Sequence, residues 1–373
     1  MKTTNPHLRE LIALYLIPNL GAQRIRALLG KVDHPEDIFQ LSSVDLTSVY
    51  GIGEVTANQV LDFTDWEEAD RIIEKTERSE FDLITLLDED YPPLLREIYD
   101  PPILLWLRGH PEVLNTDSLA IVGTRKASDY GKKMAERFAS GLVASGLTII
   151  SGLAYGIDAT AHKATLQAGG KTIAVLGSGI DNIYPSKNIR LAFDMAEQGG
   201  AVITEFPPGT EPDARNFPVR NRIVSGMTLG TLVIESGVKG GSMITASSAL
   251  DQNREVFVIP HALDTQSGAG CNHLIKMGQG KLVQTVDDIL EEINIHRTDE
   301  IKKGKVSTEK KWKTLDLDDF SRAICELLEE SPLHIDDMSE ELDVSTHKLL
   351  PALLELEMKE CVRQTAGKNF ELR

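Results

Sequence analysis

The chain has 373 residues, 41% of them hydrophobic and 26% charged, with a formal net charge of −18. That length suits about two or three domains, with cores large enough to need no disulfide staples. Its three cysteines, Cys271, Cys325 and Cys361, are odd in number and in no Cys-x-x-Cys pattern. They argue against a secreted disulfide scaffold and against a cysteine-held zinc. No apolar run approaches the roughly 18–20 residues of a membrane span, and MKTTNPHLRE lacks the basic-then-apolar layout of a signal peptide. The expected compartment is the cytoplasm, with no membrane contact.

Residues 1–80 read as short helices. Two segments look alike: Pro18-Asn19-Leu20-Gly21-Ala22-Gln23-Arg24-Ile25 and Val49-Tyr50-Gly51-Ile52-Gly53-Glu54-Val55-Thr56-Ala57. Each places glycine at a turn and then opens a helix with apolar residues at helical spacing. The second resembles a helix-hairpin-helix (or SAM-like) turn, whose glycine amides can approach a phosphate at a helix start. Basic residues next to Gly51 are missing from the sequence, which favours a plain αα-hairpin packed on the next domain.

Residues 81–295 are expected to form the main domain, with 81–117 as a bridging segment. Tyr91-Pro92-Pro93 and Asp100-Pro101-Pro102 punctuate the bridge, and 81–87 and 103–108 read as edge strands. Beyond it, apolar runs at 119–123, 148–151, 172–177, 201–205, 231–235 and 256–260 alternate with helical patterns such as 130–144 and 242–252. Nearly continuous apolar strands are buried on both faces, as in a parallel sheet. The expected fold class is α/β, an extended Rossmann-like doubly wound sheet. Residues 296–314, polar and lysine-rich, read as a linker. Residues 315–373 pattern as three helices and a β-hairpin, a winged helix with 6 basic against 15 acidic side chains. A DNA-reading winged helix wants a basic third helix, so contact with a protein is expected here instead.

The net charge conceals a contrast. Residues 118–260 carry 14 Lys and Arg against 12 Asp and Glu, a net of +2, so the remainder of the chain sums to −20. Phosphate binding depends on the local patch, not on the total. In a doubly wound sheet, ligands bind beyond the carboxyl ends of the strands. The segments there are Gly123-Thr124-Arg125, Ser151-Gly152-Leu153-Ala154-Tyr155-Gly156-Ile157-Asp158, Gly177-Ser178-Gly179 with Tyr184-Pro185-Ser186-Lys187, Phe206-Pro207-Pro208-Gly209-Thr210 and Ser236-Gly237-Val238-Lys239-Gly240-Gly241-Ser242. Glycines let backbone amides approach an anion, and a helix start adds partial positive charge. Five such loops along one sheet edge point to a phosphate-bearing ligand. Gly177-Ser178-Gly179 lacks the third glycine of GxGxxG, and Lys239-Gly240-Gly241-Ser242 is not in the order of a P-loop, which argues against a dinucleotide or a nucleoside triphosphate. The cations Arg125, Lys187, Arg215, Arg220, Arg222 and Lys239, interleaved with Tyr184 and Phe217, instead suit an extended polyanion, single-stranded nucleic acid. Some of these arginines could instead pair with Glu205, Glu211, Asp213 or Glu235.

Here the residues resemble the DNA-processing protein A family (DprA, also called Smf). The matching stretches are Gly123-Thr124-Arg125, SGLAYGIDATAH (151–162), LGSGIDNIYPSKN (176–188), TEFPPGT (204–210), FPVRNRIVSG (217–226) and GGSMITASSAL (240–250), in family order. The resemblance implies a bacterial cytosolic protein that binds single-stranded DNA in natural transformation, protects it, dimerises and loads the recombinase RecA. It implies Arg125 and Lys187 as main phosphate contacts, with Phe217, Arg220, Asn221 and Arg222 lining the groove. Lys239, Gly240 and Gly241 would form the adjoining loop, and Gly123, Ser151, Gly152, Gly177, Ser178 and Gly179 the remaining loop contacts. Leu274, Ile275 and Met277 would supply a dimer contact. Thr124 stands where the family usually has serine, and His261 where glycine is usual.

Catalysis finds little footing. No nucleophile sits in a GxSxG-like elbow, and no His/Asp/Glu cluster has metal spacing such as HExxH. His162 is expected to pack or cap behind Asp158. No catalytic residue, metal or cofactor is expected. Two other functions compete. One is a nucleotide-processing enzyme of the lysine-decarboxylase-like (LOG) type, although the Gly-Gly loop lacks the preceding proline and Glu235 precedes that loop. The other is a non-catalytic adaptor working through the acidic modules.

Overall fold

The computed structural model describes residues 5–79, 81–293, 312, 317–329, 333–342, 344–359, 361–365 and 369–372. The chain divides into two compact units, Met1–Thr298 and Asp299–Arg373. Most of the 296–314 linker lies outside the described residues.

The first unit is built on nine strands: β1 (Asp82–Thr85), β2 (Leu104–Gly109), β3 (Ser118–Gly123), β4 (Thr148–Ser151), β5 (Thr172–Val175), β6 (Ala201–Thr204), β7 (Gly230–Glu235), β8 (Glu255–Val258) and β9 (Lys281–Leu282). Their order in the sheet is β1-β2-β6-β5-β4-β3-β7-β8-β9. From β6 to β9 all pairs are parallel, whereas β2 runs antiparallel to β6 and β1 antiparallel to β2. The two bridge strands thus extend the sheet at one edge.

The alternation of side chains along each strand explains why these segments read as unbroken apolar runs. Leu119 and Ile121 face one core together with Leu232, Ile234, Phe257 and Ile259, under the helices Asp129–Ala144 and Ile157–Gln167. Ala120 and Val122 face the other, with Val233, Val256 and Val258, under the helices Asn216–Gly226 and Gly241–Asp251. Each strand serves two cores, so both sets of positions are mainly apolar.

The N-terminal helices join the second of these cores. The Trp106 indole of β2 donates to Thr76 Oγ1 at 3.0 Å, and Lys75 pairs with Asp181 at 2.9 Å. The two look-alike turns are built alike, though Gly21 has a positive φ (31°) and Gly53 an extended one (−93°). Asn19 (φ 60°) and Gly51 (φ 83°) hold the left-handed position, Leu20 and Ile52 are buried beside them, and Gly21 and Gly53 precede the helices Ala22–Leu29 and Glu54–Leu61. A cation does lie near Gly51: Arg24 of the first turn, whose Nε is 3.6 Å from where a Gly51 side chain would begin. Its guanidinium donates to the Asn19 carbonyl.

The second unit holds helices Asp319–Leu327, Ile335–Glu341 and Thr346–Met358 and a sheet of β10 (Leu333–His334), β12 (Asn369–Leu372) and β11 (Val362–Thr365), in that order. This is a winged helix. Asp318 caps its first helix by accepting the Ser321 N–H at 2.6 Å. Trp312, placed in the linker by composition, is buried in this unit's core with Ile324, Met338, Leu353 and Phe370. The lysines around it masked an anchoring residue.

Candidate nucleic-acid interface

In this sheet β3 pairs with β4 on one side and β7 on the other, and the crossovers depart in opposite directions. A crevice therefore opens beyond the carboxyl ends of these strands. It is a cavity of about 600 Å³ lined by Gly123, Thr124, Arg125 and Lys126 after β3, Gly152 and Ala154 after β4, and Gly237, Gly240 and Gly241 after β7. Phe217, Arg220 and Asn221 of the helix Asn216–Gly226 close one wall, and Ile244 lies on the helix Gly241–Asp251. That last helix begins at the cavity, and its N-cap, Gly240, offers no side chain to cap the first turn. Its free N–H groups face anything bound there.

The loop carrying Arg125 is held from three sides. The Thr124 N–H donates to the Glu235 carbonyl at 2.7 Å, and the Thr124 carbonyl accepts from the Ile157 N–H at 3.2 Å. Further along, Ser128 donates both its N–H and its hydroxyl to Glu235 Oε2, each at 2.9 Å, while its hydroxyl accepts from Gly131. Glu235 is fully buried at the end of β7. Gly156 (φ 79°) lets the chain pass directly under the Thr124 and Arg125 carbonyls, where a side chain would overlap them. Arg125 itself is exposed, pairs with no carboxylate among the described residues, and lies 5.4 Å over the Phe217 ring. Phe217 in turn meets Tyr184 with ring centroids 5.8 Å apart.

Arg220 forms the floor. It is 5% exposed, and its Nη1 donates to the carbonyls of Gly152 (2.8 Å) and Val175. Its Nε has no hydrogen-bond partner among the described residues. Burial lowers the guanidinium to about 10, the charge of Asp158 opposes that shift, and the like charge of Arg125 adds to it. Burial raises the Asp158 carboxyl above the usual aspartate value, against the pull of Arg220 and the N–H groups of Ala154 and Gly152. Asp158 thus offsets the charge of Arg220, while the like charge of Arg125 acts on Arg220 from the mouth of the crevice. Asp158 sits in the first turn of the helix Ile157–Gln167, where it satisfies the amides of the Gly152–Ala154 loop. Neither it nor Glu235 stood out in the sequence as part of the site. The available signal was an acidic residue at a helix start and another ending an apolar strand.

Several expected contacts fall elsewhere. Arg222 is 11% exposed and bound by Glu205 (2.5 Å) and Asp100 (3.0 Å). Burial works against its charge, but those carboxylates hold its pKa above the ordinary value. Arg222 is a structural ion pair, not an open phosphate contact. Arg215 is paired with Asp213 at 2.8 Å. The hydroxyls of Ser151 and Ser178 are buried and donate to the Ile121 and Asn182 carbonyls, both at 2.6 Å, so they do not face a ligand. Gly123 and Gly152 do line the crevice, but like Gly177 and Gly179, which do not, they are also held to glycine by local packing. Added side chains would begin 2.5 Å from Ile157, 2.6 Å from Arg220, 2.8 Å from the Phe217 ring and 2.7 Å from the Pro207 carbonyl. At Gly241, by contrast, the space is open. Lys239 is exposed in its loop but does not line the crevice, and Lys187 is exposed in a different cavity. Leu274, expected at a dimer contact, is 3% exposed in its own core, whereas Met277 is 56% exposed and Ile275 partly buried. His162 is buried and reaches Thr172 Oγ1 at 2.7 Å, a packing arrangement. Among the described residues, no group of three His, Cys, Asp or Glu could hold a metal ion, and no helix is long and apolar enough to cross a membrane.

Fold and groove define a class: a Rossmann-like α/β protein with a cationic, glycine-lined crevice at its switch point, followed by a winged helix. Residues 82–294 match DNA recombination-mediator protein A, and residues 309–368 match the DprA winged helix domain. The chain belongs to the DNA recombination-mediator protein A family. Protein Smf of Escherichia coli (strain K12) is 38% identical over 298 residues, covering 78% of this chain and 77% of that one. The X-ray structure of DNA processing protein A from Streptococcus pneumoniae superposes with a TM-score of 0.65 at 36% identity, covering 79% of this chain and all of that one. DNA processing protein A from Helicobacter pylori, whose structure is described for its single-stranded DNA binding mode, gives a TM-score of 0.53 at 27% identity, over 58% of this chain and 98% of that one.

Proposed function

We propose that this chain binds single-stranded DNA in the crevice beyond β3, β4 and β7, without base preference and without a covalent step. In this reading it acts in the cytoplasm during natural transformation, shields incoming strands, works as a homodimer and passes the strand to RecA. The observation that carries the reading is Arg125. It is an exposed cation held on a clamped loop, free of carboxylates among the described residues and stacked on Phe217 at the mouth of the crevice. A phosphate between Arg125 and Arg220 relieves their mutual repulsion and meets the open amides at Gly241 and Ser242. A base next to that phosphate stacks on Phe217 or Tyr184, which reads no sequence because every base has a π-face. The Helicobacter pylori relative, described for single-stranded DNA binding, supports the same ligand class.

The test is fluorescence anisotropy with labelled single-stranded and duplex oligonucleotides of equal length at several salt concentrations. Wild type is expected to prefer the single strand. Its log–log salt slope should be roughly −0.7 per phosphate contacted. Arg125→Ala is expected to lose affinity about equally for all base compositions. A salt-independent affinity, or a loss confined to one sequence, would overturn the reading.

A further inference from the structure

Beside the crevice lies a second cavity, about 450 Å³, between the helices Ile157–Gln167 and Ile189–Glu197. Lys163 and Gln167, one turn apart and so on one face of the first helix, line it from one side. Lys187, Arg190 and Asp194 line it from the other. Arg190 and Asp194 neutralise each other at 2.8 Å. Lys163 and Lys187 are exposed and have no carboxylate partner among the described residues. The trough therefore carries two uncommitted positive charges. It lacks the buried guanidinium and the glycine amides that close around a single phosphate in the crevice, so it suits a backbone lying across it.

The two cavities are joined by structure. A narrow cleft of about 20 Å³ shares Arg125, Phe217 and Arg220 with the crevice and adds Tyr155, Tyr184 and Pro185. Two residues beyond Pro185 the chain reaches Lys187 in the trough. The next residue, Asn188, donates its side-chain amide to the Leu153 carbonyl at 2.8 Å, which ties the trough to the loop after β4. Tyr155 and Tyr184, at 39% and 43% exposed, form an aromatic sill between the two cationic surfaces.

We propose that a single nucleic-acid strand leaving the crevice crosses the Tyr155–Tyr184 sill and lays its next phosphates in the trough, where Lys163 is a binding residue in its own right. The inference rests on the crevice being the single-strand site. It turns Lys187 from a crevice contact into the first cation of a second segment. It also predicts a binding footprint longer than the crevice itself.

Oligonucleotides of about 5 and about 15 nucleotides, within the range of single-strand site sizes, separate the two claims. On the long strand, Lys163→Ala is expected to make the salt slope shallower by roughly 0.7, one phosphate contact. Lys163→Glu should weaken binding further, and Lys163→Arg should restore it. On the short strand all three should match wild type, while Arg125→Ala weakens both lengths. Loss with Arg125→Ala but none with Lys163→Ala or Lys163→Glu on the long strand would remove the trough and leave the crevice standing. Equal losses on both lengths would place Lys163 in the crevice and overturn the extended path. No effect of Arg125→Ala on either length would remove the crevice reading itself.

Discussion

Gly240 and Gly241 are adjacent, yet they answer different requirements. A side chain at Gly240 would overlap the Ser236 hydroxyl, while one at Gly241 meets nothing within 4 Å and projects into the crevice. Gly240→Ala is therefore expected to lower stability by about 1–3 kcal/mol, read as a fall in melting temperature. Gly241→Ala should leave the melting temperature unchanged or slightly higher, because alanine favours a first helical turn. Its methyl group would block phosphate approach and weaken single-strand binding several-fold. A second residue-scale prediction concerns pH. Thr172 Oγ1 donates to the Ile149 carbonyl, so His162 Nδ1 must be the donor in their contact, and the ring is neutral. Burial, helped by the charge of Arg220, lowers its pKa from 6.5 to about 3. The folded value lies below the unfolded one, so the contribution is full above about pH 6.5 and is lost as the pH falls towards 3, a difference on the order of 5 kcal/mol. Melting temperature should drop more steeply over that interval in wild type than in His162→Asn, whose amide can still reach Thr172.

The elements differ in how far the sequence announced them. β3, β4, β5, β7 and β8 were legible because burial on both faces keeps their centres apolar, with the buried polar groups such as Thr148, Ser151, Thr172 and Glu235 at or near the strand ends. The winged helix was legible from its helical spacing and its turn. The partners of the arginines were not. Arg222 meets Glu205 across 17 residues and Asp100 across 122, and local sequence carries no trace of either contact. The glycine loops suggested more phosphate contacts than the crevice offers, since a glycine required by a neighbouring side chain reads the same as one required by an anion. The clamp on the Arg125 loop was equally hidden, since it joins residues 107 apart. It makes a prediction at this scale. Glu235→Gln keeps the size of the group and an oxygen that can accept both bonds from Ser128, but removes the negative charge that strengthens them. With the loop loosened, affinity for single strands should fall several-fold while the preference among base compositions stays flat. Unchanged affinity in a folded Glu235→Gln protein would show that Arg125 is positioned without the clamp.

At the scale of the whole molecule, the acidic winged helix and the sheet unit have separate cores. A chain ending at residue 298 keeps every residue of the crevice and the trough. It is expected to stay folded and to bind single strands with the affinity of the full chain, as measured by the same anisotropy titration. A collapse of binding in a still-folded truncation would assign the winged helix a direct part in holding DNA.

The nine-stranded sheet ends in β1, four residues long, on one side and in β9, two residues beginning with Lys281, on the other. Short, charged margins offer almost no main-chain groups for another strand to pair with. Continuous lengthening of the sheet from molecule to molecule is therefore closed to this protein. Any association between copies would then run through complementary side-chain surfaces, and the symmetry of that contact would decide whether it closes.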